Sequence, residues 1–508
     1  LVNAAWILEG FRDDDTPILH TESALLVVDG CIEAILSQSD SRRRYPDAPT
    51  VGGADSVVIP GLINAHHHVG STPLQLGSPD HPLELWFASR LALRDVDPRL
   101  DTLFSAFEMI ESGVTTVQHL HSRAPGTPEQ IVAVGRQVLD AYRDIGMRAS
   151  YSMALRDQNR LVYEDDAAFV ERLPEPLRGP MREYFARFSL PLAEQKAVFE
   201  ALLAAVADER RLAVQVAPAN LHWLSDRALG LAGELSSRHG LPMHMHLLET
   251  PYQKAYAVKR TGGSALAYIH RFGLTGDRLT IGHGVWMTEA DIELCAHTGT
   301  RICHNCSSNF RLKSGLAAVN RFLAKRIPVA LGIDEAGIND DRDMLQEMRL
   351  ALRVHREPGI DAPHPSPAQI LRMATEYGAG TTPFGAKIGR LAPGCEADLV
   401  TFDWNAVTRP YQSPDIPPID VLVQRAKTSA VRTVMVAGEI VYRDGRFVRV
   451  DKDAVLAEIA ARFAKPLTPA ELDRRQLARD VFPHVRAFYD GYLDGIGTEP
   501  FYRGSDRL

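Results

Sequence analysis

Three consecutive histidines, His66, His67 and His68, follow an apolar run that ends at Ile63. In an extended strand alternate side chains share one face, so His66 and His68 can point at a common centre while His67 points away. Two imidazoles placed in this way could bind a metal ion. A surface histidine cluster or a tag remnant would have the same local sequence, so the metal-site interpretation depends on ligands from elsewhere in the chain.

Two further apolar runs end with side chains that could bind a metal. His246 and Glu249 come at the end of one run, and Asp334 closes another. A carboxylate at the end of so apolar a segment is costly unless it is paired or bound to metal. His244 shares the strand parity of His246 but lies two residues deeper, and we interpret it as a core residue or a support for a ligand. Three imidazoles, one carboxylate and room for water make a catalytic metal site, and the predicted ligands are His66, His68, His246 and Asp334.

The elements that would position these residues are apolar strands alternating with helix-length segments, which is the pattern of a parallel sheet with crossover helices. Eight is the number of strands that closes a (β/α)8 barrel, in which chemistry takes place at the carboxyl ends of the strands. The histidines and Asp334 cluster at those predicted ends, and this favours the barrel. The eight candidate strands are residues 57–64, 114–120, 148–153, 212–217, 243–248, 279–283, 301–304 and 329–333.

The segments before and after the predicted barrel have a different character. Residues 1–56 and 387–450 consist of short strand-like runs separated by turn residues. We therefore predict an α/β protein in which a metal-dependent (β/α)8 TIM barrel, residues 57–386, is inserted in a small composite β-sandwich domain. Residues 451–508 are charged and predict a helical C-terminal extension. Its aromatic residues would either pack on their own subunit or serve a subunit interface or a cover over the site.

Composition narrows the class of protein. The 508 residues are 45% hydrophobic and 24% charged, and no apolar run approaches the roughly 18 residues of a membrane helix, so we expect no membrane contact. A net charge of -8 and a pI near 6.2 offer no basic face for nucleic acid. The five cysteines are odd in number and scattered, unlike a disulfide framework, and no signal peptide is evident. We expect a cytoplasmic homo-oligomer that acts on a small-molecule substrate.

Six short motifs, in order along the chain, resemble those of the amidohydrolase superfamily. Within it the chain is similar to the aminohydrolase branch, which includes atrazine chlorohydrolase-like, guanine deaminase-like and S-adenosylhomocysteine deaminase-like enzymes. The resemblance covers about residues 1–450 and implies one divalent metal ion, with zinc expected and iron or manganese as alternatives. The strand at 212–217 lacks the lysine that two-metal relatives carbamylate, in agreement with a single ion. The motifs are PGLINAHHH (60–68), SGVTT (112–116), HLLET (246–250), GHG (282–284), HNCSSN (304–309) and GID (332–334).

The resemblance also implies catalytic roles. Asp334 would accept a proton from the attacking water, His283 would orient the nucleophile, and Glu249 would protonate a ring nitrogen of the substrate. The implied reaction is deamination of a small nitrogen heterocycle with release of ammonia. Hydrolysis of a urea, carbamate or amide C–N bond, or dechlorination of a triazine, would use the same site. A non-catalytic scaffold on the same fold is the alternative from another class.

The chain departs from its relatives at positions expected to contact the substrate. Ala219 stands where related deaminases commonly carry a histidine, and Asp334 is followed by Glu-Ala-Gly-Ile-Asn where they usually have a glycine and then a Ser-Asn pair. Together with two histidines on the second strand, these changes argue against transferring a guanine or adenosine substrate. Packing is the alternative role for the histidines and the tryptophan of the predicted set. The predicted substrate-binding residues are Gln75, His121, Trp223, His304 and Asn339.

Overall fold

The computed structural model describes residues 1–122 and 124–502. No helix within these residues combines the length and the apolar character needed to span a membrane. The strands are β1 (Val2–Phe11), β2 (Pro17–Val28), β3 (Cys31–Ser37), β4 (Val51–Gly52), β5 (Ser56–Pro60), β6 (Leu62–His67), β7 (Val114–His121), β8 (Arg148–Leu155), β9 (Leu212–Val214), β10 (Ala217–Pro218), β11 (Met243–Leu247), β12 (Leu279–His283), β13 (Arg301–His304), β14 (Val329–Leu331), β15 (Leu399–Asp403), β16 (Val431–Val436), β17 (Glu439–Arg443) and β18 (Arg446–Phe447).

Helices fill most of the connections between these strands. They are α1 (Gln38–Arg44), α2 (Pro73–Leu76), α3 (Leu83–Ser89), α4 (Pro98–Glu111), α5 (Pro128–Ile145), α6 (Asp166–Arg172), α7 (Glu175–Ala186), α8 (Leu192–Ala205), α9 (Asp226–His239), α10 (Pro251–Thr261), α11 (Ala265–His270), α12 (Glu289–Thr298), α13 (Cys306–Arg311), α14 (Val319–Ala324), α15 (Met344–Val354), α16 (Pro367–Met373), α17 (Glu376–Ala379), α18 (Trp404–Thr408), α19 (Pro418–Arg425), α20 (Lys452–Phe463) and α21 (Pro469–Phe488). Short 3-10 helices lie at Arg90–Ala92, Leu221–Trp223, Gly385–Lys387 and Thr428–Ala430.

Parallel strands in the middle of the chain form a barrel-like core. β6 pairs with β7, β7 with β8, and β8 with both β9 and β10, while β11 to β14 form a second parallel row. Isolated parallel bridges from Val216 to Met243 and from His67 to Asp334 join the two rows at both edges. The eight predicted strand positions are all present, with the fourth shared by β9 and β10, and their carboxyl ends lie at one rim.

Gly61 marks the change from an outer sheet to the barrel. We predicted one strand over residues 57–64, but the structure has two, because β5 pairs with β1 and β15 whereas β6 pairs with β7. The Gly61 N–H donates to the Asp398 carbonyl at 2.9 Å. A Cβ at this position would lie 2.1 Å from Thr115 Oγ1, so the close approach of the two sheets requires glycine.

Both ends of the chain contribute to one nine-stranded sheet. Its order is β18-β17-β16-β15-β5-β1-β2-β3, with β4 paired to β1. Because β15 runs antiparallel to β5, the returning chain adds directly to the N-terminal strands. Side chains from both parts, including Leu25, Val58 and Leu399, form a common buried apolar cluster. In sequence, the barrel strands therefore lie between the two parts of this sheet.

A buried ion pair joins the barrel to the nine-stranded sheet. Arg148, the first residue of β8, donates to the two carboxylate oxygens of Asp398 at 2.6 and 3.0 Å and to Glu396 at 3.2 Å. The side chains of Arg148 and Asp398 are each only 1% exposed. Removing the guanidinium would leave the Asp398 carboxylate buried and without its main partner.

We expect Arg148→Met to lower the free energy of unfolding by about 3–5 kcal/mol, because breaking a buried pair leaves an uncompensated charge. Urea unfolding of the two proteins measures the difference. Arg432→Met is the control, since its pair with Asp403 lies at the surface, with the arginine side chain 48% exposed, and should contribute about 1 kcal/mol or less. Equal losses in the two variants would contradict the expectation.

Helix α21 packs against the segment that follows β6. Its residues Val481 and Val485 are fully buried and form an apolar cluster with Ala88 of α3 and Leu91 of the next 3-10 helix. The helix begins with a capping box at Thr468, which satisfies the first free backbone N–H groups. Packing of this C-terminal helix on its own chain therefore supports α3, whose opposite side faces the candidate active site.

Candidate active site

Three imidazoles meet at the carboxyl rim of the barrel. His66 lies near the end of β6, His68 directly follows that strand, and His246 belongs to β11. The Nε2 atom of His68 lies 3.1 Å from His66 Nε2 and 3.1 Å from His246 Nε2. His67 points away, as strand alternation predicts, and its ring lies 5.4 Å from the ring of His119. The structure thus brings together the three predicted imidazole ligands.

The Nδ1 atoms of these histidines point away from the cluster and contact other groups, so the Nε2 atoms face its centre. His68 Nδ1 lies 2.5 Å from the Leu120 carbonyl, and His246 Nδ1 lies 2.9 Å from the Ala219 carbonyl. His66 Nδ1 lies 2.8 Å from His244 Nε2. A ring nitrogen that donates to a carbonyl carries the proton, so the inner Nε2 atoms of His68 and His246 present lone pairs.

Converging lone pairs repel one another unless a cation lies between them. Burial lowers the pKa of His66 and His246 well below the usual range, so these two imidazoles stay neutral, whereas burial of His68 is outweighed by its hydrogen bond with Asp334, which raises the pKa of His68. Imidazole nitrogens that converge in this way are ligands preferred by divalent transition metals, and a ring that binds the ion does so in its neutral form. The residues present therefore fit a bound metal ion.

Asp334, the fourth predicted ligand, lies beside these histidines at the end of the eighth strand position. Its N–H donates to the His66 carbonyl at 2.8 Å, and its Oδ1 lies 3.2 Å from His68 Nε2. Ser308 donates to Oδ2 at 2.6 Å. Burial alone would raise the pKa of Asp334, but the hydrogen bond and charge of His68 hold it well below the usual range. The side chain is therefore a carboxylate, as a metal ligand requires.

His283 and Glu249 flank the carboxylate on the open side. His283 Nε2 lies 3.6 Å from Asp334 Oδ2 and 3.7 Å from Glu249 Oε2. Asn309 holds the other ring nitrogen of His283 at 2.9 Å, and Ser314 donates to Glu249 Oε1 at 3.1 Å. Burial raises the pKa of Glu249 well above the usual range, so this carboxyl can carry a proton near neutral pH.

Backbone strain is concentrated at these strand ends. Leu248, His283 and Asp334 have φ values of 55°, 75° and 65°, in the left-handed region that non-glycine residues rarely adopt. Each costs on the order of 1–3 kcal/mol and persists only where the surroundings impose it. The strain turns His283 and Asp334 towards the same point.

The open side of the cluster is a small cavity of about 40 Å³ with largely apolar walls. Its walls are the flat or branched side chains of Leu83, Trp86, Phe87, Trp223 and Leu312. A larger cavity of about 450 Å³ adjoins it and shares His68, Arg90 and Ser122. Flat apolar walls beside a few convergent polar groups are typical of sites for ring-shaped ligands.

Residues 57–441 match the model of the Amidohydrolase family. The chain belongs to this family. A 5-methylthioadenosine/S-adenosylhomocysteine deaminase of Nitratidesulfovibrio vulgaris (strain DSM 19637 / Miyazaki F) is 30% identical over 468 residues, 90% of this chain and 96% of the relative. A deaminase of the same description from Syntrophobacter fumaroxidans is 29% identical over 451 residues, 87% of this chain and 94% of the relative. The resemblance noted in the sequence motifs is confirmed.

Two solved structures extend the comparison. A zinc-bound adenosine deaminase from Xanthomonas campestris has a TM-score of 0.76 at 25% identity, over 94% of this chain and 98% of that one. A zinc complex of an atrazine chlorohydrolase from Arthrobacter aurescens TC1 has a TM-score of 0.78 at 18% identity, over 91% of this chain and 99% of that one. At 18% identity, the similarity to the atrazine chlorohydrolase shows a common fold and nothing about activity.

In this amidohydrolase the predicted substrate-binding residues do not all lie together. Trp223 lines the small cavity, and His121 lines the larger one. His304 is fully buried with its Nε2 3.0 Å from His355 Nε2, Gln75 caps α2 through the Thr72 N–H, and Asn339 is exposed. None of these three is among the described residues that line either cavity, and their contact with a substrate stays a prediction.

The structure adds cavity residues that the sequence analysis did not select. Trp86 and Phe87 come from α3, and Arg90 from the 3-10 helix after it. An aromatic pair in a short helix of a long connection is a weak signal, because the sequence does not show against which part of the barrel that helix packs. Ser308 and Asn309, which hold Asp334 and His283, lie within the HNCSSN motif, so their family motif was the signal that could have identified them.

Arg342 links the two segments that carry metal-binding candidates. This fully buried side chain donates through Nη2 to the carbonyls of Val69 at 3.0 Å and Glu335 at 3.1 Å. Val69 directly follows His68, and Glu335 directly follows Asp334. One guanidinium thus holds the first and eighth strand ends at a set separation.

We expect Arg342→Met to weaken metal affinity by about 10- to 100-fold, as is typical when a group that orients ligands is lost. Competition with a chelator measures the affinity. Arg148→Met is a matched control because it removes an equally buried guanidinium far from the rim, and it should lower stability with unchanged metal affinity. Equal affinity in wild type and Arg342→Met would contradict the positioning role.

Proposed function

We propose that this amidohydrolase is a metal-dependent aminohydrolase that removes an amino group from a small nitrogen heterocycle and releases ammonia. The observation that carries the proposal is the placement of a buried Glu249 beside His283 and Asp334, facing a cavity with aromatic walls. The deaminases that resemble the chain over most of its length support the same reaction class.

One divalent ion would be held by His66, His68, His246 and Asp334. We propose zinc on ligand type, and iron or manganese would accept the same donors. When bound, such an ion supplies a water molecule whose pKa is lowered towards 7 and which can act as a nucleophile. The zinc-bound state of the adenosine deaminase of similar structure supports this choice.

The remaining roles belong to side chains of this chain. Asp334, held by Ser308, accepts a proton from the attacking water. His283, held by Asn309, hydrogen-bonds to the group that develops negative charge. Burial raises the pKa of Glu249 and favours its protonated form, and it donates to a ring nitrogen so that the adjacent carbon becomes electrophilic. The proton accepted by Asp334 then passes to the amino group, which leaves as ammonia, and the hydroxyl proton returns to Glu249 as the carbon becomes a carbonyl.

The cavity walls would orient the heterocycle for this transfer. Trp86 and Trp223 offer flat faces on which an aromatic ring can stack, and water has little room beside it. We propose that His121, which lines the adjoining cavity, contacts a substituent of the ring. Positioning of this kind can lower the activation free energy of the reaction by several kcal/mol.

The test combines metal analysis with a substrate panel. Purified enzyme would be incubated with purines, pterins, triazines and phenylureas, and ammonia, chloride and amine release would be measured. We expect ammonia from at least one amino-substituted heterocycle, a loss of more than about 10-fold on chelation, and recovery with zinc. Chloride or amine without ammonia would favour the rival hydrolysis, and no turnover by metal-loaded enzyme would contradict the proposal.

We also propose the domain division that the sequence suggests. Residues 1–56 and 387–450 would form a composite β-sandwich around the barrel of 57–386, and 451–508 would form a helical extension. The pairing of β15 with β5 supports the first part, and the packing of α21 supports the second. Homo-oligomer formation and a cytoplasmic location stay predictions.

A further inference from the structure

Glu335 lies at the edge of the candidate active site with one carboxylate oxygen unpaired. It directly follows Asp334 and lines the small cavity. Its Oε1 accepts a hydrogen bond from Arg90 Nη1 at 2.8 Å. Its Oε2 is buried and has no hydrogen-bond partner among the residues that the structure describes. The whole residue is only 8% exposed.

The orientation of this carboxylate is restricted by its partner. The Arg90 guanidinium lies 4.4 Å from the centroid of the Trp86 ring, and it also lines the cavity. Trp86 is itself buried against Leu83 and Leu312. The Arg90 guanidinium thus packs on the Trp86 ring and donates to Oε1 of Glu335. This arrangement leaves Oε2 of Glu335 for another donor.

A second polar group without a partner lies on the opposite side of the cavity. Asn220 follows β10 at the fourth strand position, whereas Glu335 follows β14 at the eighth. Asn220 is 2% exposed, and its Nδ2 has no partner within the described part of the chain. The fourth and eighth positions of an eight-stranded barrel face each other, so the two groups flank the aromatic walls from opposite sides.

An unsatisfied buried carboxylate oxygen is costly, and a ligand that donates a hydrogen bond to it recovers that cost. A ligand that presents a lone pair or a methyl group at the same place does not. The site can therefore discriminate by chemistry at this position even though its walls are apolar.

We propose that Glu335 is a specificity-determining residue, which selects heterocyclic substrates that present an N–H or O–H donor to its free carboxylate oxygen. This inference rests on the proposed deaminase function. The donor could belong to the ring itself or to a sugar hydroxyl attached to it. Both sources have the same hydrogen-bond chemistry, and the experiment separates them.

The test uses two matched pairs of compounds that differ in one kind of donor. Guanine and 1-methylguanine differ in a ring N–H, whereas adenosine and 2′,3′-dideoxyadenosine differ in sugar hydroxyls. Binding to the metal-loaded enzyme would be followed by quenching of tryptophan fluorescence, since Trp86 and Trp223 line the cavity. Turnover would be followed separately by ammonia release.

We expect wild-type enzyme to bind the donor-bearing member of one pair about 10- to 100-fold more tightly than its partner. Glu335→Gln should reduce this ratio to within about 3-fold, because the amide can no longer offer a charged acceptor. The control is Glu289→Gln. Glu289 is an exposed residue of α12 that pairs with Arg321, and this variant should keep the wild-type ratio. The pair that shows the preference identifies the source of the donor.

The binding measurements test the role of Glu335, and the turnover measurements test the proposed deaminase function. A preserved binding preference, with no ammonia released from these compounds or from the substrate panel, would contradict the deaminase proposal and leave the role of Glu335 supported. Equal binding of both members in both pairs by wild type would overturn the role of Glu335. If none of the four compounds binds, the best heterocycle of the substrate panel and its ring-N-methylated analogue replace them, and equal binding of that pair would overturn the role as well. An unchanged ratio in Glu335→Gln, with the melting temperature of wild type, would overturn it as well.

Discussion

Replacing His246 or Asp334 with alanine is expected to abolish both bound metal and turnover. His246 Nε2 and Asp334 Oδ1 lie 3.1 and 3.2 Å from His68 Nε2. Losing either one leaves at most three of the four predicted ligands, and the remaining set no longer closes around an ion. We expect metal content near zero after dialysis and a loss of activity of at least about 1,000-fold. Elemental analysis and ammonia release measure the two quantities.

His67→Ala is the control for this experiment. His67 lies between two predicted ligands in sequence, but its ring faces His119 on the far side of the strand. Metal content should therefore stay near the wild-type value, even if the buried substitution lowers the melting temperature. Full metal retention in both His246→Ala and Asp334→Ala would contradict the site assignment, and so would metal loss confined to His67→Ala.

Glu249→Gln is expected to separate chemistry from metal binding. The amide has nearly the same shape and can keep the hydrogen bond with Ser314, but it has no acidic proton to give to the substrate. General acid catalysis contributes about 100- to 10,000-fold, and we expect kcat to fall within that range. KM should change much less, because the walls that bind the ring are untouched. Steady-state kinetics on the best substrate of the panel provide both values.

The metal content of Glu249→Gln shows whether a loss of activity comes from the missing acidic proton or from a missing metal ion. Glu249 lies 3.7 Å from His283 and is not one of the predicted metal ligands, so the variant should keep a full complement of metal. Loss of metal in parallel with activity would assign Glu249 to the metal site instead. Unchanged kcat would remove it from the mechanism.

The central residues of the site could be predicted from the sequence because two simple geometric rules apply to them. Strand alternation places His66 and His68 on one face and His67 on the other. The parallel arrangement of the barrel strands brings their carboxyl ends to one rim, and so brings His246 and Asp334 to the same place. Neither rule depends on the details of packing.

Other parts of the site could not be obtained in this way. Trp86 and Arg90 lie in short helices, and Glu335 in a loop, within the connections between barrel strands, and their positions depend on what packs behind those connections. The burial of α21 against α3 is one such contact, and it joins residues almost 400 positions apart in the sequence.

The sequence by itself determined which residues could bind a metal, the number and order of the barrel strands, and the family. Local pattern is sufficient for these because apolar runs, strand parity and short motifs are properties of neighbouring residues. Only the tertiary structure decided that the strand over 57–64 divides at Gly61, that Arg342 joins the first and eighth strand ends, and that Glu335 leaves one oxygen unpaired. Each of these depends on which distant backbone or side chain lies within hydrogen-bond distance, and that is set by how the whole chain packs.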